Sequence, residues 1–113
     1  MDTLPLKRAF FRYWATTGPQ ILQAGIELRS EPADKLILDC SASWPDGGDY
    51  TEAVFHEIRS VVTEFRPKAF GARITISEVE FNDVGSSMHL FRIVAREAAR
   101  SLFTTSEPLS EFP

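Results

Sequence analysis

The most strongly periodic stretch of the chain is Thr51 to Arg66, where Val54, Phe55, Ile58, Val61, Val62 and Phe65 recur at helical spacing and form one continuous apolar face. Asp49 precedes it as the expected N-cap, Glu52 completes a capping-box pattern, and Pro67 ends it. A helix with a single apolar stripe must be covered, so the rest of the chain has to supply a sheet or further helices. The chain has 113 residues, 43% of them hydrophobic and 25% charged, which suits one globular domain with its own core.

Around that helix the pattern changes to a period of two. Ile26 and Leu28 alternate with Glu27 and Arg29 in a strand that stops at Pro32, and a further short strand is expected around Gln20 to Ala24. Leu36, Leu38, Cys40 and Ala42 share one face of a second strand, and Ala33-Asp34 between the two runs reads as a hairpin turn. In the third strand, Ala72 to Phe81, the apolar parity slips from Ile74 and Ile76 to Val79 and Phe81, which predicts a bulge near Ser77-Glu78. Asn82 to Gly85 closes that strand, and Ser86 or Ser87 caps a last helix from Met88 to Phe103. That helix turns Leu90, Phe91, Val94, Ala95, Ala98, Leu102 and Phe103 inward and places Arg92, Arg96 and Arg100 on an outer stripe. Near the N-terminus, Leu6, Phe10, Tyr13 and Trp14 fit a short helix over residues 4 to 15, closed by Thr16 to Pro19. Residues 104 to 113 read as a mobile tail. The expected fold is α+β in one domain, 1 to 113: a single sheet of three to four strands, two helices on one face, and an N-terminal helix.

The formal net charge of −4 argues against general nucleic-acid binding, but the charge is uneven. Lys7, Arg8 and Arg12 face only Asp2 in the first segment, and Arg92, Arg96 and Arg100 face only Glu97 in the last helix, leaving an acidic body between. The lone Cys40 is expected to point inward as inert packing. Asp46 and Asp49 flank Gly47-Gly48 without the alternating ligands of a calcium loop. His56 and His89 are the only histidines, both on helices, and no phosphate loop, nucleophile elbow or paired-histidine motif is present. No catalytic, metal or cofactor-binding residue is therefore assigned. The first residues lack a secretory h-region, and no apolar run is long enough to span a membrane, so the expected location is the cytoplasm.

One segment carries a specific likeness. Ile74-Thr75-Ile76, then Phe81-Asn82-Asp83-Val84-Gly85-Ser86-Ser87, then Phe91-Arg92-Ile93 and Ala95 resembles the last strand, turn and last helix of the fourth domain of elongation factor G, the bacterial translocation GTPase. Weaker similarity runs upstream through Leu36 to Asp39 and Ile26 to Pro32, so the resemblance covers about residues 26 to 103. Asn82 and Gly85 stand where that family's turn carries His and an acid, and its glycine-rich basic tip loop has no counterpart around Gly18-Pro19.

The resemblance implies a left-handed βαβ fold and kinship with a module that reaches into the ribosomal decoding region. The first expectation is a stand-alone, non-enzymatic translation-factor-like domain. It would contact ribosomal RNA or a protein partner through Arg92, Arg96 and Arg100, assisted by Lys7, Arg8 and Arg12. The bland counterpart for the arginine stripe is an ordinary solvated helix face. The alternative function is a protein-interaction or oligomerisation module that keeps the fold and uses the aromatic Phe10, Phe11, Tyr13, Trp14 segment as its contact.

Overall fold

In the computed structural model, which describes residues 2–17, 20–44, 49–81 and 88–104, β5 (Phe70–Phe81) lies at the centre of a mixed sheet. β3 (Gln20–Glu31) pairs with it antiparallel on one side, and β2 (Lys7–Thr17) adds antiparallel to β3. β4 (Leu36–Cys40) and the two-residue β1 (Asp2–Thr3) both pair parallel with β5. Helix α1 (Thr51–Phe65) follows β4 and helix α2 (Met88–Thr104) follows β5. The architecture is thus α+β, with one mixed sheet and two helices. No helix among the described residues is long and apolar enough to cross a membrane.

The expected N-terminal helix is not formed, because Lys7 to Thr17 is a strand. The spacing of Leu6, Phe10, Tyr13 and Trp14 fits a helix, but the segment is also rich in aromatics, which favour a pleated surface. The 11-residue strand β2 pairs along its whole length with β3, from Lys7↔Ser30 to Thr17↔Gln20. Tertiary pairing on that scale overrides a short local helical pattern. The short strand expected at Gln20 to Ala24 is simply the start of β3.

The hairpin expected at Ala33-Asp34 is not formed either. β3 and β4 both pair with β5 and not with each other, so the connection between them crosses the start of β5. Gly71 makes the crossing possible: a Cβ there would sit 2.0 Å from the Ala33 carbonyl oxygen. Next to it, the Ala72 N–H donates to the Lys35 carbonyl at 3.1 Å and locks the connection down.

The bulge falls where the parity slip requires. The β3–β5 register steps from Glu27↔Glu78 to Leu28↔Ile76, leaving Ser77 as the extra residue. Ile26, Leu28, Ile74 and Ile76 consequently all reach the same core.

That core lies between the sheet and the helices. α2 lies against β2 and β3, and α1 lies beside α2. Val54, Ile58 and Val61 of α1 and Phe91, Val94, Ala95, Ala98, Ala99 and Leu102 of α2 are almost completely buried. Aromatic contacts join the helices at both ends. Trp44, Tyr50 and Phe91 cluster with ring centroids 5.2 to 5.7 Å apart at the head, and Phe65 stacks on Phe103 at 5.2 Å at the tail. Contacts in the same order along both helices mean that they run parallel. The N-cap of α1 is Tyr50 and not the expected Asp49, and no side-chain cap or capping box with Glu52 is formed; Asp49, one residue earlier, accepts a hydrogen bond from the Thr51 N–H at 3.1 Å, as Asp does in tight turns. The expected Asn82–Gly85 turn, the Ser86/Ser87 cap, the Gly18-Pro19 break, the Asp46–Gly48 loop and the tail after Thr104 lie outside the described residues.

Replacing Gly71 by Ala should force the crossing connection off β5 and lower stability by about 1–3 kcal/mol in urea unfolding. A variant as stable as the parent would refute the close crossing.

Candidate contact surface and its ion pairs

All six cations expected to touch a partner are engaged within the protein. On α1, Glu57 falls between Val54, Ile58 and Val61 on the buried side of the helix and is only 4% exposed. Arg92 and Arg96, one turn apart on α2, close on it from across the helix interface. The Arg92 Nε donates to Oε2 at 3.0 Å; the Arg96 Nε and Nη2 donate to Oε1 at 3.0 and 2.7 Å. Arg100, one turn further on, reaches Glu64 of α1 and Glu97 of its own helix, both at 3.4 Å. The stripe is therefore a rail joining α1 to α2, with side chains still partly in solvent.

Burial pushes the Glu57 carboxyl up, but the hydrogen bonds and charges of Arg96 and Arg92 outweigh it and hold the group below the usual carboxylate range. A carboxyl lowered on folding adds stability above its ordinary value of about 4.3, and that stability is lost as pH falls through the folded value.

The three N-terminal cations have different surroundings. Lys7 is buried, on the same face as Ala9 and Leu28, and its Nζ donates to the Leu102 carbonyl in the last turn of α2. It thus caps a helix C-terminus, where carbonyls lack intrahelical partners and a cation is favourable. Burial lowers its pKa. With 5% exposure, Lys7 is removed from the expected contact set. Arg8 and Arg12 lie on the opposite sheet face. Arg12 grips Glu80 with Nε and Nη2 at 2.6 and 2.7 Å and lies over the Phe10 ring, 5.1 Å from its centroid. Those hydrogen bonds lower the Glu80 pKa and raise that of Arg12.

Arg8 approaches Glu27, a second buried carboxylate, at 3.6 Å. Arg29 donates to the same side chain at 3.1 Å, and the bulged Ser77 donates to it at 2.7 Å. Beside this cluster lies a groove of about 420 Å³ lined by Leu6, Arg29, Glu31, Arg73 and Ser77 among others. A second groove, of about 320 Å³, opens at the head of α2 between Met88, His89, Arg92, Ile93 and Arg96.

The candidates accordingly do not form one surface. Arg92, Arg96 and Arg100 share the helix side, Arg8 and Arg12 share the opposite sheet face, and Lys7 is internal. Sequence reasoning missed Glu57 and Glu27. The signal for Glu57 was present: an acid three residues after Val54 and one before Ile58 sits in the apolar stripe, and a run of arginines at i, i+4 is the matching partner. His56 and His89 are both exposed. Cys40 is half-buried against the core, and its thiol donates to the Ala42 carbonyl at 3.5 Å. Among the described residues, no three His, Cys, Asp or Glu side chains are grouped to hold a metal ion.

With this geometry in view, known proteins supply a match in shape. A protein of the bacterium Thermus thermophilus superposes with a TM-score of 0.67 over 88% of this chain, at 23% identity. The fold is shared. This chain spans only 16% of that protein, so here the same fold corresponds to one part of a much longer chain. No family model and no curated protein matches the sequence.

Two outcomes follow from the ion pairs. Glu57→Gln should remove part of the acid sensitivity, so that the stability gap to the parent narrows between about pH 6 and about pH 3; a constant gap would contradict the lowered carboxyl. Lys7→Met should cost about 1–2 kcal/mol in urea unfolding through the lost cap, and no loss would show the contact to be idle.

Proposed function

We propose that this chain is a non-enzymatic, translation-factor-like domain of the cytoplasm that works by contact with the ribosome or a translation partner. The supporting observation is where the resemblance falls. The segment Arg73 to Ala95, similar to the fourth domain of elongation factor G, starts in the central strand β5 and continues into α2, the strand-then-helix order of that family. In this reading the β4-α1-β5 unit is the left-handed βαβ element, and the chain is a divergent relative of that domain. Arg92, Arg96 and Arg100 remain its contact residues because their side chains are still 40 to 45% exposed while they hold their carboxylate partners.

A second reading is favoured by one specific observation. Phe10 and Tyr13 are 39% and 36% exposed on β2, which ends the sheet order and has no described neighbour on its outer side. Such an edge suits strand pairing with a partner or a second copy.

Co-sedimentation separates the two. The translation reading expects the full chain to pellet with ribosomes at low salt and to be released as salt rises. Absence from the pellet at every salt concentration would end it. The oligomerisation reading expects a concentration-dependent dimer in light scattering that Tyr13→Lys abolishes, and a monomer at all concentrations would end that one.

A further inference from the structure

We propose that Glu57 is a positioning residue that sets Arg92 and Arg96 as a clamp for an RNA phosphate at the head of α2; this rests on the ribosome-contact reading above. Both arginines approach Glu57 along the same edge, with Nε and Nη2 within 3.0 Å of the carboxylate. A guanidinium carries five N–H donors, so among the described residues each arginine keeps its Nη1 edge for another acceptor. Their spacing of four residues sets the two Cα atoms about 6 Å apart along the helix axis, and the shared carboxylate draws both heads to one point. Two cations around one carboxylate leave the cluster positive. The carboxylate therefore orients the cations and does not cancel them.

The adjoining groove fits what accompanies a phosphate in RNA. Met88, 45% exposed, His89 and Ile93 line it together with the two arginines. A base can lie on the imidazole and the apolar wall while its phosphate meets the Nη1 edges. An acidic peptide would satisfy the charges but would leave that wall without a partner.

Anisotropy of a short labelled oligouridylate tests this with the full chain and three variants. The triple Glu57→Gln, Arg92→Gln, Arg96→Gln removes the charges together and avoids leaving a buried carboxylate alone. It should lose at least about tenfold in affinity. Arg92→Lys with Arg96→Lys keeps both charges and the partner of Glu57 but removes the planar fork, and should weaken binding by about threefold or more. Glu57→Gln adds net positive charge, so diffuse attraction would tighten binding whereas a positioned clamp loosens it.

Unchanged affinity in the triple or the lysine variant, tighter binding by Glu57→Gln, or no RNA binding by the parent chain would each overturn the clamp. Displacement of the RNA by polyglutamate at equal charge would overturn the choice of RNA. If the triple variant loses RNA but the parent chain never pellets with ribosomes, the ribosomal reading fails and the clamp stands. If the triple variant still pellets as the parent does, the clamp fails and ribosome contact stands on another surface.

Discussion

A carboxylate buried between two helices has to be met by donors from the helix it faces, because an unmatched ion in that position costs several kcal/mol. Glu57 is met by Arg92 and Arg96, and this fixes both the distance and the rotation of α2 relative to α1. The aromatic clusters at the two ends then have a defined partner to pack on, with Phe91 at the head and Phe103 at the tail. A shift of α2 by one turn would break the ion cluster and both aromatic clusters at once. Hydrophobic burial holds the helices on the sheet, and the ion cluster selects their alignment.

The same device occurs on the other side of the sheet. Glu27 is buried on the face that the helices leave open, bracketed by Arg8, Arg29 and the bulged Ser77. There the bulge does two jobs. It returns Val79 to the side of Ile26, and it brings the Ser77 hydroxyl to a carboxylate that otherwise faces Glu78 across the ladder. Acids distributed in this way explain how a chain of net charge −4 keeps two groups of arginines ordered in opposite directions.

Much of this was legible in the residues. The α1 stripe, the slip at Ser77 and the α2 register follow from periodicity, because most of the buried positions there are apolar and most of the exposed ones polar. Two of the failures share a physical origin: a buried charge breaks that correspondence. Lys7 occupies an inward position of β2, so the strand does not show a clean alternation and the spacing of Leu6, Phe10, Tyr13 and Trp14 suggests a helix instead. Glu57 occupies an inward position of α1 and is invisible until its partners, 35 and 39 residues away, are placed. The parallel placement of β4 was hidden for another reason, since a short polar connection between two strands looks alike whether it turns back or crosses a neighbour. Only the requirement at Gly71 distinguishes the two.

The arginine stripe changes meaning accordingly. As sequence it is either a solvated face or a contact surface; as structure it is a rail that holds the helices and keeps its outer edge available. The most direct measurement of that claim is a double-mutant cycle in urea unfolding between Glu57→Gln and Arg96→Gln. A buried, doubly matched carboxylate should give a coupling energy clearly above the range of about 0.2–1 kcal/mol found for exposed pairs. A coupling within or below that range would contradict it, and would make the alignment of the helices a matter of apolar packing alone.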